Sequence, residues 1–424
     1  MKRVFYSDYG AEPFRLERIE ALLRHLKDHG AIVCRTSRHP IESVALNLPL
    51  PNFLRHSVSK QGLTLGPKAD PTNPVLRTAG QTLNYDVPKR GAADCYASAY
   101  LYRCYIEEEL SRFQPTLVIL WHQFNAYHYI IADWCRRNTV PVIYGENGVL
   151  PGSWCFELGG QMAESWIARE PGRFAALPID GTDIAHAQAY LEHALRNRLT
   201  RKADMTALSQ SDLAQVLAAD PRPKILYAGI NDYKTGLQPY ASSRTPLHAA
   251  DFTSTEQGLQ SLLRVARRND WHILYKPHPS TTHAPTDIAE HAEYLTLIDK
   301  RIDLLDLLPL INVLTTIVSQ SAYMSVMHGR PTVIMGKMQL TGSGLVREAI
   351  FSTQLESAVK KSIDDGGRKP NQRRLLEHIA RLLKFYVISP EFGDRGFFKY
   401  DVSDFACALI TDAAHATSTA GRTN

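Results

Sequence analysis

Short apolar runs rich in β-branched residues alternate along the chain with amphipathic stretches. The first run covers residues 4–6, and it is followed by a helical pattern across 13–29 and a second apolar run at 31–34. Strands that alternate with helices in this way are typical of a parallel sheet in an α/β protein. The opening segment therefore predicts an α/β fold.

The same alternation continues to residue 144 and predicts one Rossmann-like half. The Pro-, Gly- and Asn-rich stretch 49–88 is interpreted as loops. After it we predict a helix near 92–113, a strand at 116–121, another helix, and a strand at 141–144. Helical patterns near 183–197 and 209–218 then lead to the Pro-rich segment 221–223, where the alternation starts again.

A second Rossmann-like half is predicted after this segment. Its strands are expected at 225–228, 272–275, 313–318 and 332–335, and its helices at 255–267 and 322–328. We place the domain boundary near residue 200, which gives domains at 1–200 and 201–390. The tail 391–424 contains a helical pattern at 401–413, which we expect to return to the first domain.

Composition and charge limit the class of protein without naming a function. The chain has 424 residues, of which 44% are apolar and 21% charged, as expected for two globular domains. The net charge of +5 suits an anionic substrate or an acidic membrane surface but is too small to indicate nucleic acid.

The six cysteines show no CxxC spacing, and this excludes a recognisable zinc motif or disulfide framework. The apolar runs are all shorter than the roughly 18 residues of a spanning helix. The N-terminus leads directly into a strand pattern, so we expect no signal peptide and a cytoplasmic protein.

Polar residues that directly follow predicted strands are the candidates for chemistry, because ligands of open α/β sheets bind at the carboxyl ends of the strands. The segment Lys276-Pro277-His278-Pro279 follows the strand at 272–275. Two prolines restrict the backbone around His278, and a fixed imidazole beside Lys276 suits a phosphate. The alternative is a histidine that caps a loop carbonyl.

The segment Ser319-Gln320-Ser321 lies between a predicted strand and a predicted helix. Hydroxyl and backbone N–H groups there could bind an anion without a metal. The alternative is that one of the two serines only caps the helix.

Two further strand ends carry carboxylates. Glu146 follows the strand at 141–144, with a turn predicted at Asn147-Gly148 and Glu157 as the competing acid. Asp232 follows the strand at 225–228, and its alternative role is to cap the loop. If Glu146 and Asp232 lie across a cleft, they form a carboxylate pair suited to glycosyl transfer.

Three of these motifs, taken in their order along the chain, resemble those of bacterial GT-B enzymes that use CMP-sugars: Glu146-Asn147-Gly148, His278-Pro279 and Ser319-Gln320-Ser321. The wider pattern, with Tyr144 to Gly152 and Ser319 to Gly336, is similar to the capsule polysaccharide synthesis family. Members of that family include retaining transferases of 3-deoxy-D-manno-oct-2-ulosonic acid (Kdo). The resemblance spans about residues 116–340.

The resemblance implies a GT-B protein with an acceptor-binding first domain and a donor-binding second domain. It implies transfer of Kdo from CMP-Kdo to a saccharide acceptor in capsule or O-antigen synthesis, with Asp232 as nucleophile, Glu146 as acid/base and His278 at the leaving phosphate. The donor would further contact Lys276, Ser319, Gln320, Ser321, Asn231, Pro279 and Gly229. Independently of the resemblance, Asp8, Gln123 and Asn125 follow strands of the first domain and are candidate acceptor contacts, together with Asn147 and Glu157.

Alternatives remain open at this stage. Asn147 stands where sialyltransferases have a second acid, and Gln320 interrupts the hydroxyl pair, so Kdo is favoured over sialic acid. A CDP-glycerol-type phosphotransferase and a non-catalytic nucleotide-sugar binding module are the other hypotheses. The chain contains no Asp-x-Asp motif after a strand, no P-loop and no GxGxxG, so we expect neither a metal nor a dinucleotide cofactor. Whether the acceptor is lipid-linked, and whether the protein associates with the inner membrane or an assembly complex, stays open.

Overall fold

The chain forms two compact units in a computed structural model that describes residues 2–8, 16–36, 46–49, 51–65, 70, 72–200, 212–239, 248–281, 285–286, 288–365 and 371–388. The first unit runs up to Asn147 and also includes Trp154–Gln161 and Ile388. The second unit comprises Gly148–Ser153 and the described part of Met162–Val387.

The strands are short and are named here in chain order. They are β1 (Arg3–Ser7), β2 (Ile32–Thr36), β3 (Leu46–Leu48), β4 (Leu117–Trp121), β5 (Val142–Asn147), β6 (Trp154–Leu158), β7 (Lys224–Ala228), β8 (His272–Lys276), β9 (Leu295–Leu297), β10 (Val313–Thr316), β11 (Thr332–Ile334), β12 (Arg347–Glu348) and β13 (Val387–Ile388).

The α-helices occupy most of the connections between these strands. They are α1 (Leu16–Asp28), α2 (Asn52–Arg55), α3 (Pro74–Asp86), α4 (Ala92–Phe113), α5 (Ala126–Arg137), α6 (Trp166–Arg169), α7 (Pro171–Ala175), α8 (Gly181–Arg196), α9 (Asp212–Ala219), α10 (Thr255–Asn269), α11 (Leu304–Leu307), α12 (Ser321–Met327), α13 (Ser352–Asp364) and α14 (Gln372–Phe385).

The first sheet has the strand order β13-β6-β5-β4-β1-β2-β3. Strands β1 to β5 pair in parallel, whereas β6 returns antiparallel to β5. The chain builds outward from β1 to β3 and then restarts on the other side with β4. The strand order therefore reverses between β1 and β4, which is where open α/β sheets form a ligand crevice.

The second sheet has the order β12-β11-β10-β7-β8-β9, and its neighbouring strands pair in parallel. Here the order reverses between β7 and β10. Residues that follow β7, β8 and β10 consequently share one edge of the sheet. Together the two sheets confirm the predicted α/β class with two Rossmann-like units, the pair of domains that GT-B proteins have.

Both faces of the first sheet are covered, as near-continuous apolar strands require. Successive side chains of β1 point to opposite faces. Phe5 packs in a cluster with residues of α3, α4 and α5, whereas Val4 and Tyr6 pack with α1. The first sheet therefore separates two apolar cores, one on each of its faces.

The prediction that 49–88 is all loop is wrong, because this stretch contains α2 and α3. Pro74 occupies the first turn of α3, where its missing N–H costs nothing, and the Asn73 side chain accepts hydrogen bonds from Val75 N and Leu76 N. The helix buries Leu76 and Leu83. Proline here starts a helix rather than marking a loop.

The predicted turn at Asn147-Gly148 is displaced along the chain. Asn147 is the last residue of β5, and the reversal takes place over Gly148–Ser153, closed by a 2.7 Å hydrogen bond from Gly148 N to Ser153 O. A Cβ at Gly148 would lie 2.0 Å from Ser153 Oγ, so only glycine is accommodated there.

The units divide at different residues from the predicted boundary near 200. Helix α8 packs on α14, where Lys384 Nζ lies 2.7 Å from Asp183 Oδ2, and both helices belong to the second unit. The tail helix expected at 401–413 lies outside the described residues. Among the helices that the structure describes, none has the length and apolar character to cross a membrane.

Candidate functional site

A cavity of about 180 Å³ lies at the carboxyl ends of β7, β8 and β10, entirely within the second unit. Three segments singled out in the sequence meet in its wall. They are Gly229 after β7, Lys276 to Pro279 at the end of β8, and Ser319 to Ser321 after β10. The structure therefore brings together the residues of the predicted phosphate site.

Gly229 lets the segment after β7 pass close to β8. Its N–H donates to Lys276 O at 2.9 Å, and a Cβ there would lie 3.0 Å from the Tyr275 ring. The wall of the cavity at this point is consequently backbone rather than side chain.

Lys276 supplies a positive charge that is largely removed from solvent. The residue is 7% exposed, and its Nζ donates to Lys300 O at 2.9 Å. Burial lowers the pKa of the ammonium group to about 8, against the opposing effect of Asp303 and Asp299. A buried cation with few protein partners gains most from an anionic ligand.

His278 lies in a tight turn between two prolines. Thr281 N donates to His278 O at 2.8 Å, and this bond closes the turn. On the ring, Nδ1 lies 2.8 Å from Ser280 Oγ and 3.2 Å from Ser280 N. The imidazole is thus held on its Nδ1 side by one residue, which the sequence analysis had not assigned to the site.

The segment Ser319-Gln320-Ser321, which follows β10, contains three side chains with different roles. Ser319 Oγ accepts a hydrogen bond from Ser321 N at 3.2 Å, a local contact that starts one residue before the N-cap Gln320 of α12. The Gln320 side chain donates to Gly148 O and so holds the tip of the β5–β6 connection. Ser321 Oγ is buried and has no hydrogen-bond partner among the described residues, which leaves it for a ligand.

The rest of the cavity wall was not predicted from the sequence. Leu304, Leu305 and Met324 provide an apolar side, and Asp303 lies beside them. Asp303 caps α11 by accepting from Leu305 N at 3.0 Å. An aspartate directly before a leucine pair is a helix-start signal, and it could have located this wall.

Asp232 is absent from the residues that line the cavity. Its Oδ1 accepts from Thr255 N at 2.9 Å and from Thr255 Oγ1 at 2.6 Å, and its Oδ2 lies 3.1 Å from the same N. Burial raises the pKa of this carboxyl group to about 6, although the bonds from Thr255 act in the opposite direction. These contacts match the loop-capping alternative and connect the segment after β7 to the start of α10.

The other predicted acids belong to the first unit. Glu146 pairs with Cys155 and Glu157 with Tyr144 across β5 and β6, which places both glutamates on one face of this pair of strands. Glu157 is 1% exposed, whereas Glu146 is half-buried. Asn147 ends β5, where its carbonyl oxygen lies 3.9 Å from Cys155 Sγ.

The three remaining acceptor candidates follow β1 and β4, at the reversal of strand order in the first sheet. Each of them has a structural partner. Asp8 forms a buried ion pair with Arg35 at 2.5 Å, and Gln123 exchanges hydrogen bonds with Gln161. Asn125 caps α5 by accepting from Tyr127 N at 2.9 Å.

Potential metal ligands do not gather in the described part of the chain, where His, Cys, Asp and Glu form no group of three or more around a common point. The five cysteines that the structure describes are free thiols. The expectation of a reaction without metal stays a prediction.

Comparison with known proteins finds no matching protein-family profile and no match among curated protein sequences. The chain is similar in structure to Thermosulfurimonas dismutans KpsC, beta Kdo 2,7 transferase, at 13% identity over 96% of this chain and 98% of that chain, with a TM-score of 0.45. A second similar structure is Thermosulfurimonas dismutans KpsC, beta Kdo 2,4 transferase, at 15% identity, 70% and 87% coverage, and a TM-score of 0.47.

A third is Methanocaldococcus jannaschii UDP-GlcNAc 2-epimerase, at 11% identity over 91% of this chain and 100% of that chain, with a TM-score of 0.35. Identities of 11 to 15% with TM-scores below 0.5 assign neither a family nor an activity to this chain.

Proposed function

We propose that this protein is a metal-independent glycosyltransferase that moves Kdo from CMP-Kdo to a saccharide acceptor. The observation that carries the proposal is the composition of the cavity wall in the second unit. Lys276, His278 and Ser321 offer an ammonium group, an imidazole and an unpartnered buried hydroxyl group at one strand-end crevice.

These groups suit the departure of a nucleoside monophosphate. When the bond between the anomeric carbon and the phosphate oxygen breaks, negative charge develops on the phosphate. Fixed hydrogen-bond donors and a partly desolvated cation stabilise that charge in the transition state. The apolar side formed by Leu304, Leu305 and Met324 offers a surface for the nucleoside.

We propose that the transferred sugar is Kdo and that a reaction in two steps retains its anomeric configuration. In the first step, the Asp232 carboxylate attacks the anomeric carbon as CMP leaves, and in the second an acceptor hydroxyl displaces the resulting ester while Glu146 takes its proton. Asp232 does not line the cavity, so the attack requires it to give up its hydrogen bonds from Thr255 and to turn towards the donor.

The donor is tested by a binding screen with three nucleotides: CMP-Kdo, CMP-sialic acid and CDP-glycerol. We expect CMP-Kdo to bind most tightly and to release CMP when a saccharide acceptor is added in excess EDTA. Preference for CMP-sialic acid or CDP-glycerol would replace the proposed donor by the sialyltransferase or phosphotransferase alternative. Binding of CMP-Kdo without turnover over a panel of acceptors would indicate a binding module.

The covalent step predicts an adduct of defined mass. Glu146→Gln should slow the second step, so intact-mass measurement after mixing with CMP-Kdo is expected to show one added Kdo. The double variant with Asp232→Ala should show none. An adduct that survives the Asp232 change would refute this nucleophile and leave the phosphate site standing.

The acceptor and the place of the reaction are further parts of the proposal. A lipid-linked saccharide acceptor would bring the protein to the inner face of the inner membrane, as part of capsule or O-antigen assembly. The net charge of +5 supports contact with an acidic lipid surface. Sedimentation with anionic and with neutral vesicles tests this part separately from the chemistry.

A further inference from the structure

A chain of hydrogen bonds in the second unit reaches Nδ1 of the His278 ring. Lys234 N donates to Asn231 Oδ1 at 3.1 Å, and Asn231 Nδ2 donates to Ser280 Oγ at 2.8 Å. Ser280 contacts His278 Nδ1 twice, through Oγ at 2.8 Å and through its backbone N at 3.2 Å. Asn231 is only 2% exposed, so water has little access to this chain of bonds.

The direction of each bond follows from its two ends. A backbone amide can only donate, so the Asn231 atom that faces Lys234 N must be the carbonyl oxygen. The Asn231 amide nitrogen then faces Ser280 and gives it a hydrogen. Because Ser280 Oγ accepts at that position, its own hydrogen is directed to His278 Nδ1.

The ring nitrogen Nδ1 therefore accepts from both groups of Ser280. A hydrogen on Nδ1 would point at the backbone N–H of Ser280, which cannot rotate away and has no lone pair. A neutral histidine carries one ring hydrogen, so the remaining position for it is Nε2.

We propose that Ser280, oriented by Asn231, is a positioning residue that fixes His278 in the tautomer with its hydrogen on Nε2. In this form the neutral ring donates from Nε2 to an oxygen of the donor's phosphate without giving up a proton. The phosphate ligand rests on the proposed function, whereas the tautomer rests on the hydrogen bonds alone. The other tautomer would turn a lone pair towards the phosphate and repel it.

The tautomer is measured by NMR of the nucleotide-free protein with ¹⁵N-labelled histidine, and the spectrum of His278→Gln identifies the His278 signals. We expect a single form in which Nε2 carries the hydrogen and Nδ1 does not. Ser280→Ala removes one of the two donors to Nδ1, and Asn231→Asp makes the Ser280 hydroxyl turn towards the carboxylate. Both changes leave only the longer contact, from the Ser280 backbone N–H at 3.2 Å, to disfavour hydrogen on Nδ1, so the population with hydrogen on Nδ1 should rise.

Ser280→Thr is the matched control, since it keeps the hydroxyl group and should keep the wild-type tautomer. Hydrogen on Nδ1 in the wild type would overturn the proposal. So would a tautomer that neither Ser280→Ala nor Asn231→Asp changes, provided that both variants keep the wild-type melting temperature.

Kinetics with CMP-Kdo test the positioning role itself. Loss of the Ser280 hydroxyl bond should lower kcat by about three- to tenfold with little change in KM, and Ser280→Thr should restore it. An unchanged kcat in a Ser280→Ala protein whose tautomer has shifted would contradict the role. Absence of turnover in the wild type with every CMP-sugar would defeat the proposed function and leave the NMR result valid.

Discussion

At the scale of single residues, Lys276 shows how burial gives a side chain a dependence on pH. Its ammonium group is surrounded by the cavity wall and donates to one backbone carbonyl, Lys300 O. Desolvation disfavours the charged form of such a group, and the pKa of Lys276 falls to about 8. Its charge is therefore present at neutral pH and is lost as the pH rises through 8.

This loss should weaken binding of CMP above pH 8. Between pH 7 and pH 9 we expect the Kd of CMP to rise several-fold in the wild type, because the neutral amine attracts the phosphate less. Lys276→Arg stays charged over this range and should show a flatter profile. Isothermal titration calorimetry at several pH values measures both, and an identical slope in the two proteins would refute the assignment.

Ser321 and Ser319 provide a matched pair of variants two residues apart. Ser321 Oγ has no partner among the described residues, whereas Ser319 Oγ accepts from Ser321 N. Ser321→Ala should raise the Kd of CMP by about two- to tenfold, the value of one hydrogen bond. Ser319→Ala should mainly reduce thermal stability through loss of the hydrogen bond from Ser321 N.

Titration with CMP and thermal melts of both proteins separate the two effects. An unchanged Kd in Ser321→Ala would remove this hydroxyl from the site.

The sequence located residues by their place at strand ends, and this is why Lys276, His278 and Ser321 were found. The position follows from local apolar patterns and chain order. The contacts of Asp232 do not follow from local patterns. Thr255 lies 23 positions further along the chain and reaches Asp232 only through the packing of α10 on the sheet. A local sequence pattern does not predict hydrogen-bond partners that are brought together by tertiary packing.

At the scale of elements, the carboxylate of Asp232 is one of the groups that join the segment after β7 to α10, beside the backbone of Ile230. Asp232 accepts from both the N–H and the hydroxyl group of Thr255, the first residue of the helix. An acid at a helix N-terminus is favourable, yet the burial of this one raises its pKa to about 6. The folded protein therefore holds the Asp232 proton more tightly than the unfolded chain does.

The folded pKa of about 6 exceeds the ordinary value of 3.8, so the folded state binds more protons between these pH values. The free energy of unfolding contributed by Asp232 should then fall as the pH rises from 4 to 6, by up to about 3 kcal/mol.

Asp232→Asn removes this titration. We expect the free energy of unfolding of the variant, measured with urea and relative to that of the wild type, to increase from pH 4 to pH 7. A difference that does not depend on pH would show that Asp232 titrates normally.

Helix α3 and strand β6 were not predicted from the pattern of hydrophobic and polar residues. The proline and asparagine content of 49–88 predicts loop, but Asn73 is a helix cap and Pro74 is the first-turn proline of α3. Strand β6 was missed because its residues follow a connection rather than a helix, and the alternation that predicts parallel strands does not predict an antiparallel return.

At the scale of the whole molecule, each unit has a sheet whose strand order reverses once on the described strands, between β1 and β4 and between β7 and β10. Strands β3, β6, β9, β12 and β13 were not predicted. The other eight described strands were predicted in their order along the chain, and for that reason the two-unit α/β fold was predictable. The division between the units was not, since it depends on the packing of α8 on α14.

The charge around the cavity of the second unit leads to a prediction for the intact protein. If Lys276, His278 and Ser321 meet the charge of the leaving phosphate, transfer should proceed at the same rate in excess EDTA as in added Mg²⁺. The measurement is CMP release from CMP-Kdo under both conditions. A rate that falls at least tenfold in EDTA and recovers with Mg²⁺ would contradict the proposed chemistry.

The path of the chain between the two units limits how such a protein can be recombined. The polypeptide passes from one unit to the other after Asn147, after Ser153, after Gln161 and after Val387. A chimaera that exchanges one unit for that of a relative therefore needs four matched junctions rather than one. A gene fusion cut at residue 200 would divide the second unit and leave α8 without the α14 helix against which it packs.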